Sequence, residues 1–325
     1  MICLGIESTA HTAGIGIVNE KCEILANEKE TLITNEGGLI PRELSKHHAE
    51  VFPKLIKKAM KKAKVNWEKI DVIAFSQGPG IGSALSVGAV TARYLSLLHN
   101  KKLVGVNHCI AHIEIGIKKC NCKNPLILYV SGGNSQIIGF ESNKYRVYGE
   151  TIDIGVGNLL DTFGRHIGIG FPAGPVIDKM YFESKNYIEL PYSVKGMDLN
   201  FSGLLTAAKL KSTKENKIDL SYSLMHTAFA MLIEVTERAL AHTEKKELLI
   251  TGGVSASKAL QKMCKEMCKS RKVKLRICPF ELAQDNGAMI AWTGILMHQK
   301  GAETLLNSSK TNQRFRTDQV EVNWN

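Results

Sequence analysis

The stretch PLILYVSGGNSQIIGF, residues 125–140, sets one apolar run against another across the turn SGGN. This pattern predicts strands at 125–131 and 135–140, with glycines that let backbone N–H groups approach a ligand closely. A third strand is expected at 145–150 (YRVYGE). The chain opens in the same order. ICLGIE (2–7), GIGIV (14–18) and EILAN (23–27) predict three strands, and the turn ESTAHTAGIG (7–16) stands where SGGNSQ (131–136) stands later. After the first trio come helical patterns over 43–63, a strand at 71–76, a helix over 83–98, a strand at 102–107 and a helix from Cys109. Pro53 is expected to divide 43–63 into two helices by opening the second. After the second trio come helices, a strand at 247–252, a helix over 255–270, a strand at 274–278 and a helix over 286–298. Element order repeats while residue identity does not, which predicts a duplicated α/β unit. The lobes are expected at 1–124 and 125–325, with the last helix and tail packing back on the first.

Bulk properties narrow the class. The 325 residues are 44% hydrophobic, enough for a sizeable core. No apolar run reaches the ~18 to 20 residues of a membrane span, and MICLGIES lacks a secretory n-region, so a cytoplasmic protein with no membrane partner is expected. The eight cysteines show no disulfide-framework spacing. Cys120/Cys122 and Cys264/Cys268 are each a soft-metal pair without a second half. Net charge is +11, concentrated in PKLIKKAMKKAK (53–64) and KMCKEMCKSRKVKLR (262–276). Two basic runs favour a nucleic-acid surface, although aromatic content is 6% and the sequence displays no stacking platform.

Three glycine-bearing turns fall at matching places in this frame: 7–16, 131–136 and TGGVSAS (251–257). The last joins a strand to a helix N-terminus, whose partial positive charge suits phosphate. Together the turns predict a nucleotide site. No GxxxxGK[ST] occurs, and FSQGPGIGSAL (75–85) fails the dinucleotide pattern at its last glycine.

In GVNHCIAHIEIG (105–116), His108 and His112 lie four apart and share one side of a helix. That spacing fits a metal pair. A zinc protease would need glutamate after the first histidine, and Cys109 stands there. Tyr129, ending a strand, and Asp285, at a helix start, are oxygen donors whose ordinary roles would be sheet residue and N-cap.

With these motifs assembled, the chain resembles the universal tRNA threonylcarbamoyladenosine transferases, in the archaeal and eukaryotic branch that works in the KEOPS complex. The resemblance runs through GIEST (5–9), HHAEVFPKL (47–55), FSQGPGIGSAL, GVNHCIAHIEIG and LYVSGGNSQ (128–136). It continues through GETIDIGVGNLLDTFGR (149–165), VKGMDLNFSGLLTA (194–207), TGGVSAS, QDNGAMIAW (284–292) and RFRTDQVEVNW (314–324).

The resemblance implies a two-lobed, actin-like fold shared with sugar kinases and chaperone ATPases. It implies one metal ion, iron first with zinc or magnesium as alternatives, on His108, His112, Tyr129 and Asp285. It implies an adenine nucleotide, the threonylcarbamoyl adenylate, on Tyr129, Val130, Ser131, Gly132, Gly133, Asp161, Gly174, Asp178 and Ser257. Asparagine is usual where Ser257 stands, so a water-bridged contact is expected there. The implied reaction moves threonylcarbamoyl to N6 of the tRNA adenosine following the anticodon. The amine is the nucleophile, so the site must supply alignment and charge neutralisation. Glu7 and His11 are expected to be structural. Implied partners are tRNA, a small atypical kinase/ATPase, a small dimerising subunit that packs on N-lobe helices, and a further tRNA-binding subunit; Val51, Phe52 and Leu55 are expected either to contact the dimerising subunit or to be core residues. The rival is an actin-like small-molecule kinase, which needs no histidine pair because its magnesium rests on carboxylates and phosphates.

Overall fold

The computed structural model describes residues 1–33 and 40–324. In chain order the first elements are β1 (Ile2–Glu7), β2 (Thr12–Asn19), β3 (Ile24–Thr31), α1 (Pro41–Ala63), β4 (Val72–Gly78), α2 (Gly82–His99), β5 (Lys102–Asn107) and α3 (His108–Cys120). Then follow β6 (Leu126–Val130), β7 (Ser135–Glu141), β8 (Lys144–Glu150), α4 (Val156–His166), α5 (Gly174–Glu183), β9 (Val194–Lys195) and β10 (Asp198–Leu199). The rest are α6 (Ser202–Lys211), α7 (Lys217–Thr243), β11 (Glu247–Thr251), α8 (Lys258–Arg271), β12 (Lys274–Ile277), α9 (Phe280–Ala283) and α10 (Gly287–Gln299). No described helix is long and apolar enough to cross a membrane.

Two compact units divide the chain. One holds Met1–Lys118, Ser142–Tyr145 and Gln284–Asn325; the other holds Lys119–Glu141 and Arg146–Ala283. The first sheet runs β3-β2-β1-β4-β5 and the second β12-β11-β6-β7-β8, which is the same order read from the opposite edge. In each, an antiparallel hairpin leads into two parallel strands: β4 pairs β1 as β11 pairs β6. The duplication therefore lies in strand pairing as well as in element order.

Within the first unit, α10 is apolar on every side and buried from Gly287 to Ile295, as a helix enclosed by its neighbours must be. It reaches the sheet through glycine. A Cβ on Gly16 would sit 2.1 Å from the Ala288 nitrogen, and one on Gly287 would sit 2.1 Å from the Gly16 nitrogen. Only hydrogen at both positions admits this backbone contact.

Helix α1 departs from expectation, because Pro41–Ala63 is one continuous helix with Pro53 inside it. Burial explains this. Val51 and Phe52 before the proline, and Leu55 and Ala59 after it, all pack into the first unit's core. Straightening the helix buries both sets, and this offsets the ~3 kcal/mol that an interior proline costs. The same burial corrects the partner-facing reading of Val51, Phe52 and Leu55, which are 4%, 1% and 5% exposed. Helix α8 begins at Lys258 because a short 3-10 turn, Gly253–Ala256, takes up the residues before it.

Candidate functional site

The metal candidates of the first unit converge. Asn107 ends β5, and its side chain accepts from the backbone N–H groups of Cys109 and Ile110, starting α3. His108 and His112 thus fall in the first two turns, with rings at an angle of 86° and centroids 4.7 Å apart. Asp285 is placed by α10, which starts two residues later. Its Oδ1 lies 3.5 Å from His108 Nε2 and 3.3 Å from His112 Nε2. Ligand atoms on a tetrahedral ion with bonds of about 2.1 Å stand about 3.4 Å apart, so both spacings suit chelation. Among the described residues these three form the one group of His, Cys, Asp or Glu with metal-holding proximity, all ligand atoms lying within 4.8 Å of one another.

Glu7 also belongs to this site, although its motif suggests only a structural role. It is fully buried at the end of β1, and its Oε1 accepts from the Thr9 N–H and hydroxyl at 2.7 and 2.6 Å. Its Oε2 lies 3.0 Å from His108 Nδ1. A carboxylate at Nδ1 holds the proton there and leaves the Nε2 lone pair for Asp285's side of the ring, the arrangement that supports ligating histidines. No sequence spacing joins residue 7 to residue 108; the parallel sheet does.

Charge in the site is strongly shaped by burial. Burial pushes His108 down, but the charge and hydrogen bond of Glu7, with Asp285, outweigh it and raise its pKa to about 9. His112 is pushed below its ordinary value by burial and by the charge of His108, against the hydrogen bond that Asp285 accepts from it. Burial would raise Asp285, yet the hydrogen bond to His112 and the neighbouring imidazoles hold it well below the carboxylate range. Once His108 gives up its Nε2 proton, the set offers an anionic oxygen and two imidazole nitrogens, donors that fit a borderline or harder divalent cation.

The nucleotide candidates all belong to the second unit. Tyr129 is fully buried on β6, in register with Gln136 and Thr251. The turn Ser131–Gly133 lies against the start of α4. Gly157 and Asn158 donate their N–H groups to the Ser131 and Gly132 carbonyls, and Val156 donates to Ser135 Oγ. The helix N-terminus is thus spent on fixing the turn. Gly252, at φ +90°, brings the TGG turn so near β6 that a Cβ would meet the Val130 carbonyl at 2.2 Å.

Asp161 accepts from the Ala173 N–H, just ahead of Gly174 at the start of α5. Asp178 and Ser257 come together: Ser257 Oγ donates to Asp178 Oδ1 at 2.5 Å and accepts from the Leu260 N–H. Asp178 also accepts from the Lys258 and Ala259 N–H groups. The pair jointly caps α8, a role that the separate reading of either residue did not contain. Elsewhere, Cys264 and Cys268 are buried, and burial pushes both thiols up, Cys268 to about 11, which suits packing and not metal binding. Cys120 donates to the Ile277 carbonyl.

Residues 22–292 match the family model TsaD, tRNA N6-adenosine threonylcarbamoyltransferase. A protein of that name from Thermococcus sibiricus is 54% identical over 326 residues, with 100% of both chains covered. A "Probable bifunctional tRNA threonylcarbamoyladenosine biosynthesis protein" from Methanocaldococcus jannaschii is 51% identical, covering 100% of this chain and 60% of its own length. Among solved structures, HypF of T. kodakarensis matches 92% of this chain and 48% of its own at TM-score 0.66 and 14% identity. That likeness concerns fold, which is the duplicated actin-like α/β architecture also found in sugar kinases. Sequence and architecture agree, and the chain belongs to the tRNA N6-adenosine threonylcarbamoyltransferase family.

Proposed function

We propose that this chain is a transferase of tRNA threonylcarbamoyladenosine synthesis, moving threonylcarbamoyl from its adenylate to N6 of the adenosine following the anticodon. The observation that carries the reading is the convergence of the buried His108 and His112 with the half-buried Asp285, Glu7 standing behind His108. A small-molecule kinase has no use for that histidine pair.

His108, His112 and Asp285 hold one metal ion, iron by resemblance with zinc or magnesium as alternatives, and the resemblance adds Tyr129. When bound, the ion supplies an open coordination position and positive charge for a phosphate oxygen. Glu7 keeps the His108 ring in one tautomer and orientation. The turn at Ser131, Gly132 and Gly133, with Tyr129 and Val130 before it, is the proposed nucleotide contact. Asp161, Gly174, Asp178 and Ser257 complete it. Since Ser257 Oγ already serves Asp178 and Leu260, its part toward a nucleotide is to orient the Asp178 carboxylate.

The proposed partners are tRNA and the KEOPS subunits, in the cytoplasm. The contact for the dimerising subunit moves to α2, where Val90, Tyr94, Leu97 and Leu98 form one helical face, 58–65% exposed.

Incubating the chain and these partners with tRNA, threonine, bicarbonate, ATP and the separate adenylate-forming enzyme is expected to yield modified adenosine. His108→Ala and Asp285→Ala are each expected to abolish it, with circular dichroism showing the fold retained. Turnover by either variant would remove the metal from the chemistry, and no product from the intact system would defeat the whole reading.

A further inference from the structure

Far along the sequence from the nucleotide turns, the second unit gathers tyrosines that the sequence scatters. Tyr187, Tyr192, Tyr222 and His226, with Thr227, line an open depression of about 300 Å³, room for a single nucleobase. Tyr187 and Tyr192 remain 51% and 50% exposed, yet neither hydroxyl is loose. Tyr187 shares a 2.9 Å hydrogen bond with Thr227 Oγ1, and Tyr192 donates to Glu234. The rings are therefore tethered at their polar tips, and little side-chain entropy remains to be lost on binding. Beneath them Tyr222 and His226 stack at 5.5 Å and 25°. Burial and the charge of Lys262 hold His226 below its ordinary pKa, so a neutral imidazole lies in the floor.

One cation reaches the depression: the charge of Lys262 acts on His226. Lys262 belongs to α8, which also exposes Lys258, Lys265 and Lys269. Acidic groups are near as well: Glu234 is paired with Arg238 and with Tyr192, Asp178 is engaged at the start of α8 and Asp219 accepts from Ser184 and Asn186, while Glu183, Glu189 and Glu266 are exposed. Exposed aromatic faces with a basic side chain alongside are how proteins hold unstacked nucleotides.

We propose that the depression lined by Tyr187, Tyr192, Tyr222 and His226, flanked by Lys262, is a stacking subsite for one unpaired nucleobase of the RNA substrate. The inference rests on the tRNA reading and locates part of that RNA on the second unit.

The test uses the full chain with a tRNA carrying 2-aminopurine at successive unpaired positions. One label is expected to be quenched on binding. Tyr187→Ala with Tyr192→Ala should remove that quenching and weaken binding about ten-fold or more, while Tyr187→Phe with Tyr192→Phe keeps the quenching, since the rings remain. Thermal melts confirm that both double variants fold. If the intact chain binds and modifies tRNA while the alanine variant matches it in quenching and affinity, the subsite is overturned and the tRNA reading stands. If the alanine variant instead binds naked RNA normally and loses only a protein partner, the surface is a protein interface and the proposal fails. If the intact chain neither binds nor modifies tRNA, the broader reading has failed first.

Discussion

At the scale of single residues, the histidine pair is legible in the sequence because helical periodicity links positions four apart. Asp285 is legible only as a helix-start acid, and Glu7 only as part of a motif, because their partners arrive through strand pairing and helix packing, which no local spacing records. The geometry makes Glu7 testable apart from catalysis. Glu7→Gln keeps the size but loses the anionic acceptor at His108 Nδ1, and metal affinity is expected to fall about 10- to 100-fold. Titrating apo protein with Fe(II) or Zn(II) measures it, and unchanged affinity would reduce Glu7 to a packing residue. A proton and an ion compete for the same His108 nitrogen. Because the pKa of His108 is raised to about 9 in the metal-free protein, protonation still opposes uptake at neutrality. Affinity is therefore expected to increase as pH rises from neutrality toward 9, the sign opposite to that of a group that must be protonated to bind.

Elements transmit position, and here glycine does the transmitting. Asp285 stands beside the histidines because α10 lies directly against β1 at Gly5 and against β2 at Gly16, with Gly287 on the helix side. Gly287→Ala would set a methyl against backbone and force the helix outward. A loss of about 3 kcal/mol in urea unfolding is expected, accompanied by weaker metal binding though no ligand is changed. Normal metal affinity would show that Asp285 is positioned by its own turn. The helices α1 and α2 give the complementary lesson. Val51, Phe52, Leu55 and Ala59 of α1 face core, whereas α2 turns Leu85, Ala89, Ala92 and Leu95 to the core and leaves Val90, Tyr94, Leu97 and Leu98 in solvent, because α2 carries apolar residues on more of its circumference than its neighbours cover. Leu97→Glu is accordingly expected to leave folding intact and to prevent co-elution with the dimerising subunit; a complex that survives would place that contact elsewhere.

For the whole molecule, the charge excess of +11 points to nucleic acid, but a formal count does not say which lysines are available. Lys58 and Lys62 both reach Glu28 at 2.7 Å and lower its pKa. Their charges are partly spent on a carboxylate already in the fold. Lys57 and Lys61, one turn apart and exposed, have no such ion pair among the described residues. Removing one lysine from a phosphate reduces the slope of log K against log salt by about 0.7 to 0.9. Lys57→Ala with Lys61→Ala is therefore expected to flatten the tRNA-binding slope by 1 to 2 units on the order of that rule, whereas Lys58→Ala with Lys62→Ala should change it far less. The second pair has its own signature. A carboxylate held below its ordinary pKa stabilises the fold above the unfolded carboxylate range and loses that contribution as pH falls through its folded value, so removing both lysines should lessen acid sensitivity slightly. Equal slopes from the two double variants would mean that Glu28 yields its lysines to RNA, and no change in either would return α1 to a solvated helix face.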